Sequence, residues 1–189
     1  MIDSSLSVVL VVASTRPQRF ADVLVSWLVP LLEQHGWFEL TVVDLVKVNL
    51  PTELVAGGAP TDVSGNLAAA DAFVVLTPEY NHGYPAQLKH FLDLHYAEWA
   101  RKPVTFVSYG AGSGGVHAVE QLRSVFTELR ATTTRNIVAL SNPSARVRSD
   151  GRFVPGPGTE DALEATLTEL RWWAETLRTG RLAIARPEV

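Results

Sequence analysis

Chemistry in this chain gathers where Thr77-Pro78-Glu79-Tyr80-Asn81-His82-Gly83-Tyr84-Pro85 closes a buried apolar run and opens an amphipathic helix. The stretch has no nucleophile with its base. It offers backbone N–H groups, amide and hydroxyl donors and flat rings, which suit a planar heteroaromatic ligand held by its edge better than acid–base chemistry. A second stretch, Ser14-Thr15-Arg16-Pro17-Gln18-Arg19-Phe20, joins a buried strand to a helix start, where free N–H groups and the helix dipole favour an anion. Its hydroxyls and guanidiniums fit a terminal phosphate, and the plainer reading is a hydroxyl cap beside two solvated arginines. The Gly-Lys-Ser/Thr ending of a nucleotide P-loop is missing.

A third stretch, Gly110-Ala111-Gly112-Ser113-Gly114-Gly115, matches GxGxxG between a strand and a helix. No acid stands between Asn136 and Asn142 to hold a ribose, so the glycines are read as letting backbone approach a flat ligand. Ser113 also sits in an elbow-like sequence, but the last histidine, His117, follows too closely for the order serine, acid, histidine of a hydrolase. His82, His90 and His95 follow no metal-ligand spacing, the two helical ones are expected to face solvent or a partner, and no metal site is expected.

The elements that must position these loops read as one domain over 1–189, with 47% hydrophobic residues supplying a single core. A net charge of −4 gives no basic field for nucleic acid or an anionic membrane, so an anionic ligand needs its own local cation, Arg16 or Arg19. The absence of cysteine removes disulfides, thiol nucleophiles, thiolate metal sites and iron–sulfur clusters. No secretory leader is evident and the longest apolar run, Val8 to Ala13, is too short to span a bilayer, so a cytoplasmic protein is expected.

Apolar runs predict strands over Leu6–Ala13, Phe38–Leu45, Ala72–Leu76, Pro103–Tyr109 and Asn136–Leu140. Between them, helical spacing predicts helices over Phe20–His35, with Pro30 as a kink or early end, about Pro85–Trp99 and Val116–Ala131. A surface connection over Pro51–Gly65 and a short helix to Ala70 complete the first half. Residues Asn142–Gly158 read as an irregular hairpin, Thr159 as the cap of a last helix to about Arg178, and Trp172 and Trp173 as core or boundary residues. Strands alternating with helices imply an α/β, flavodoxin-like three-layer fold: a five-stranded parallel sheet of order 2-1-3-4-5 with helices on both faces. That order puts its switch point between strands one and three, so the Ser14 loop and the Pro78 turn become neighbours, with the strand-four loop beside them.

On these residues the chain resembles the NADPH-dependent FMN reductase family. The family's phosphate loop, roughly G-S-x-R-x-x-[SR]-[FN], is matched by Ala13 to Phe20, and its T-P-E-Y-N turn is matched without change by Thr77 to Asn81. Its P-x-x-L-K-x-x-x-D helix start is matched by Pro85, Leu88, Lys89 and Asp93, and its S-G-G and Q-L-R by Ser113-Gly114-Gly115 and Gln121-Leu122-Arg123. The resemblance spans about Leu6 to Leu140. It implies that Ser14, Arg16, Arg19 and the Phe20 backbone hold the phosphate of FMN. Pro78, Glu79, Tyr80 and Asn81 would then present N–H groups to the isoalloxazine edge with His82 nearby, and Ser108, Gly110, Ser113 and Gly114 would line the other side. It further implies hydride transfer from NADPH or NADH to the flavin, then electrons passing to flavin, quinone or a related small acceptor, with no obligate protein acid or base. A homodimer or homotetramer is implied too, Phe91, Leu92, Leu94, Tyr96 and Trp99 supplying its apolar surface. Other readings are a flavodoxin-type electron carrier, which two loop arginines argue against, and a non-enzymatic binding module. The latter rests on Ala13, which stands where the family has glycine and would crowd the loop if that position needs a positive φ.

Overall fold

The computed structural model describes residues 5–54 and 58–184, so part of the surface connection between the second and third strands, 55–57, lies outside the described residues. Strands β1 (Leu6–Val12), β2 (Phe38–Asp44), β3 (Ala72–Pro78) and β4 (Pro103–Gly110) form a parallel sheet in the order β2-β1-β3-β4. Alternate residues of β1 feed opposite cores: Val8, Leu10 and Val12 pack on one face, Val9, Val11 and Ala13 on the other. Burial on both faces explains why the strand reads as an uninterrupted apolar run. Helices α1 (Ala21–Glu33) and α5 (Thr159–Ala183) cover the first face. The short α2 (Ser64–Ala69), α3 (Ala86–Leu94) and α4 (Val116–Glu128) cover the second. No helix among the described residues is long and apolar enough to cross a membrane.

The fifth position of the sheet is split. β5 (Thr132–Thr133) pairs with the start of β4, and β6 (Val138–Ser141) pairs with its end. Between them Thr134, fully buried, has its hydroxyl oxygen within hydrogen-bonding distance of Thr105 Oγ1 at 2.8 Å and Asn136 O at 2.9 Å. The backbone freed by the break is taken up by side chains: Arg123 donates to the Thr134 carbonyl, and Glu169 accepts from the Arg135 and Asn136 N–H groups.

Several helix expectations are corrected. α1 runs through Pro30 to Glu33. α3 stops at Leu94, because His95 is wholly buried, its Nδ1 on the Phe91 carbonyl at 2.8 Å and its Nε2 on Thr61 Oγ1 at 2.9 Å. His95 therefore faces the core, not solvent. α5 extends past Arg178 and is preceded by Gly158 in the left-handed region, with no side-chain cap from Thr159. Trp172 is 58% exposed and is no core residue. Of the five apolar residues read as an oligomer surface, Phe91, Leu92 and Trp99 are buried in the core on the sheet's second face, Leu94 is buried as well, and only Tyr96 is exposed. The irregular hairpin is present as an antiparallel bridge between Val147 and Phe153, and Phe153 plugs the first core against Trp27 with ring centroids 5.2 Å apart.

Candidate active site

Because β1 and β3 are adjacent, the loop after one meets the turn after the other. Ser14 Oγ hydrogen-bonds Tyr80 OH at 2.9 Å, and the Arg16 guanidinium lies 3.5 Å from the centroid of the Tyr80 ring. A cation stacked on an aromatic face is held in place without losing its charge or its hydrogen-bond donors. Arg16 is otherwise exposed, at the mouth of the crevice.

Arg19 has a different occupation from the one read in the sequence. Its guanidinium makes a bidentate pair with Asp44 at the end of β2, two further bonds to Asp22 and one to the Ser14 carbonyl. Those five bonds use its five N–H donors. The Asp44 hydrogen bonds, acting against partial burial, hold the guanidinium above its ordinary range, so it is charged at every accessible pH. Arg19 thus braces the loop from beneath, and its donors are committed to protein acceptors. The backbone of the same loop is not so committed: the N–H groups of Thr15, Arg16, Gln18, Arg19 and Phe20 donate to no acceptor among the described residues. Neither Ser14 nor Thr15 caps α1, whose start makes no side-chain cap bond. Ala13 is buried, gives its N–H to Leu76 O at 2.9 Å and is absent from the positive-φ residues, so the alanine introduces no backbone strain there.

Thr77 to Gly83 forms a tight reversal. Tyr80 and Gly83 exchange both N–H···O bonds, and the two residues between them, Asn81 and His82, have φ of 51° and 65°. This is the geometry of a two-residue hairpin turn with both central residues left-handed. The N–H donors are fewer than the sequence suggested. Pro78 has none, that of Glu79 is taken by Tyr109 O and that of Tyr80 by Gly83 O, leaving Asn81 and His82 without an acceptor among the described residues. Gln121 Nε2 donates to His82 O at 2.8 Å and holds the turn from α4.

In the third loop, Ser108 is buried and donates to the Gly114 carbonyl at 2.8 Å, so it shapes the loop. Gly115 (φ 89°) is where a side chain cannot fit: a Cβ would lie 2.7 Å from Ser108 Cβ and 2.8 Å from Tyr109 N. Gly112, by contrast, faces open space. Ser113 donates to Glu79 Oε2 at 2.7 Å, and the same carboxylate accepts from His117 N at 3.1 Å and contacts His117 Nδ1 at 3.2 Å. Burial pushes the Glu79 carboxyl up, but the bonds from Ser113 and His117 outweigh it and hold the group below the usual carboxylate range. Glu79 is a strut between the two loops. His117 and Asp44 were missed as site residues in the sequence, and Gln121 was noted only within the Gln121-Leu122-Arg123 motif; for Asp44 the signal was an acid at the end of β2, since that strand end borders the β1 loop. Lys89 and Asp93 of the helix-start motif pair with each other at 2.6 Å. Beyond Arg19, a cavity of about 480 Å³ lined by Val12, Asp44, Lys47 and Asp62 opens on the β2 side.

The model of the family described as NADPH-dependent FMN reductase matches residues 6–144. The NAD(P)H-dependent FMN reductase C4B3.06c of Schizosaccharomyces pombe is 30% identical over 151 residues, 74% of this chain and 75% of that relative. The NAD(P)H-dependent FMN reductase LOT6 of Saccharomyces cerevisiae is 31% identical over 145 residues, 66% of this chain and 75% of its own length. Among solved structures, the NAD(P)H:(acceptor) oxidoreductase FerB of Paracoccus denitrificans superposes with a TM-score of 0.67 at 18% identity, covering 92% of this chain and 98% of its own. That likeness carries the fold alone.

Proposed function

This chain belongs to the NADPH-dependent FMN reductase family, and we propose that FMN is held in the crevice between the Ser14–Phe20 loop, the Asn81–His82 turn and the glycine loop. The observation that carries the reading is the row of open backbone N–H groups from Thr15 to Phe20, beside a guanidinium fixed on Tyr80, at the sheet's switch point. An N–H-rich loop at a helix start is matched to a phosphate. When bound, FMN accepts hydride from NADPH or NADH and passes electrons to a second acceptor. The protein's part is to bind and orient. Arg16 supplies the phosphate cation, Arg19 and Asp44 hold the loop that presents the N–H groups, and Ser14 ties that loop to Tyr80. The Asn81 and His82 N–H groups are the donors left to stabilise negative charge at a ligand edge. Gly110 and Ser113 form the opposing wall, whose shape the buried Ser108 and Gly114 set through the bond between them.

The acceptor in this reading is a flavin, quinone or related small molecule, the compartment is the cytoplasm, and the assembly is a homodimer or homotetramer. A monomer mass by sedimentation at micromolar protein would remove the last of these. The enzyme reading is tested by stripping the chain of cofactor, titrating FMN by fluorescence quenching, and adding NADPH or NADH anaerobically. Saturable binding with bleaching of the flavin band near about 450 nm is expected; binding without bleaching by either nucleotide would instead make the chain an electron carrier.

A further inference from the structure

We propose that Glu79, His82 and His117 form a binding site for one divalent transition metal of the zinc class, which staples the Asn81–His82 turn to the start of α4. Each residue offers one ligand atom, and the three atoms lie within 4.8 Å of one another. Two imidazoles and a carboxylate are a donor set for zinc, cobalt or nickel, and a poor one for magnesium or calcium. The three come from different places in the sequence but from facing walls of one crevice. Glu79 directly follows β3, His82 occupies the second left-handed position of the turn, and His117 lies in the first turn of α4.

The geometry is partly set before any metal arrives. Glu79 Oε2 is anchored by Ser113 Oγ and the His117 N–H, which leaves Oε1 as the free ligand oxygen, already 3.2 Å from His117 Nδ1. The two imidazoles are stacked, ring centroids 4.2 Å apart and planes 17° from each other, so their in-plane lone pairs run side by side and one ring must turn out of the stack to ligate, while Gln121 fixes the backbone of His82. Metal bonds of about 2.0–2.1 Å place tetrahedral ligand atoms roughly 3.3–3.5 Å apart, so closure asks for shifts of about 1 Å. His82 and His117 are exposed and can supply that by side-chain rotation. Ser113 and the His117 N–H then act as the outer hydrogen bonds that orient the carboxylate. Three protein ligands leave a fourth position for water or an exogenous donor at the crevice mouth. The site uses side chains, whereas the proposed flavin contacts of this turn are backbone N–H groups, so metal and flavin binding are tested separately.

The test uses the untagged full chain, treated with chelator and titrated with cobalt(II) while the visible ligand-field bands are recorded, then with zinc(II) by calorimetry. One equivalent of cobalt giving tetrahedral-intensity bands, displaced by zinc, is expected. Affinity should fall at least tenfold in His82→Ala, His117→Ala and Glu79→Gln. No bands above those of aqueous cobalt would overturn the proposal. So would binding that survives unchanged in the His82→Ala/His117→Ala double variant, whose fold is checked by circular dichroism.

Discussion

Removing either Arg19 or Asp44 separates a brace from a ligand. Their side chains are only 7% and 12% exposed, and the bidentate contact is joined by the Ser14 carbonyl and Asp22. Breaking a buried pair by deleting one member costs about 3–5 kcal/mol, because the other charge is left uncompensated. The cavity bordering Asp44 admits water to its carboxylate, so about 2–4 kcal/mol is expected here. For a chain of this length that lowers the melting temperature by roughly 5–15 °C. Arg19→Ala, Asp44→Ala and the double variant, followed by urea unfolding with tryptophan fluorescence, form a cycle in which the double variant loses less than the sum of the singles, by at least about 1 kcal/mol. An Arg19→Ala chain that unfolds at the wild-type urea midpoint and yet binds FMN a hundredfold more weakly would refute the brace and return Arg19 to the phosphate.

Within the glycine loop, Gly115→Ala must both adopt a left-handed φ and push against Ser108 and Tyr109, so it should lose about 2–4 kcal/mol, while Gly112→Ala stays within about 0.5 kcal/mol by the same unfolding measurement. Trp99→Ala removes a wholly buried ring packed 4.5 Å from Phe73 and should cost about 3–5 kcal/mol at any protein concentration; a loss that disappears on dilution would make Trp99 an interface residue after all. The Glu79 carboxyl is depressed in the folded chain, so its contribution to stability is full above the ordinary carboxylate range, about pH 4.3, and is lost as the pH falls through the lower folded value. The stability gap between wild type and Glu79→Gln should therefore narrow on acidification below about pH 4; a gap that widens there contradicts the strut.

The four long strands and their order were legible because each is an apolar run bounded by turn residues, and because the alternation of strands and helices leaves few ways to wind a parallel sheet. The meeting of the Ser14 loop with Tyr80 followed from that order alone. What was not legible depends on single side-chain contacts across the sheet. Arg19 and Arg16 look alike in the loop, and only the register of β2 against β1, which sets Val12 opposite Asp44, commits the former to an acid. The resemblance implied an interface role for Phe91, Leu92 and Trp99, but the sheet's second face needed covering and took them. His95 falls in a stretch that reads as an amphipathic helix but follows the end of α3, and its burial is stabilised by hydroxyls of Thr61 and Ser64 far upstream. The split of the last strand turns on one hydroxyl, Thr134, which no pattern of hydrophobicity marks.

Backbone amide NMR of the cofactor-free chain titrated with FMN tests the central claim most directly. The largest shifts are expected on the N–H groups of Thr15, Arg16, Gln18, Arg19 and Phe20, with a second set at Asn81 and His82, and little change at Glu79 and Tyr80, whose N–H groups are already bonded. Shifts centred instead on Val43, Lys47 and Val63 would place the ligand in the cavity beyond Arg19 and contradict the account.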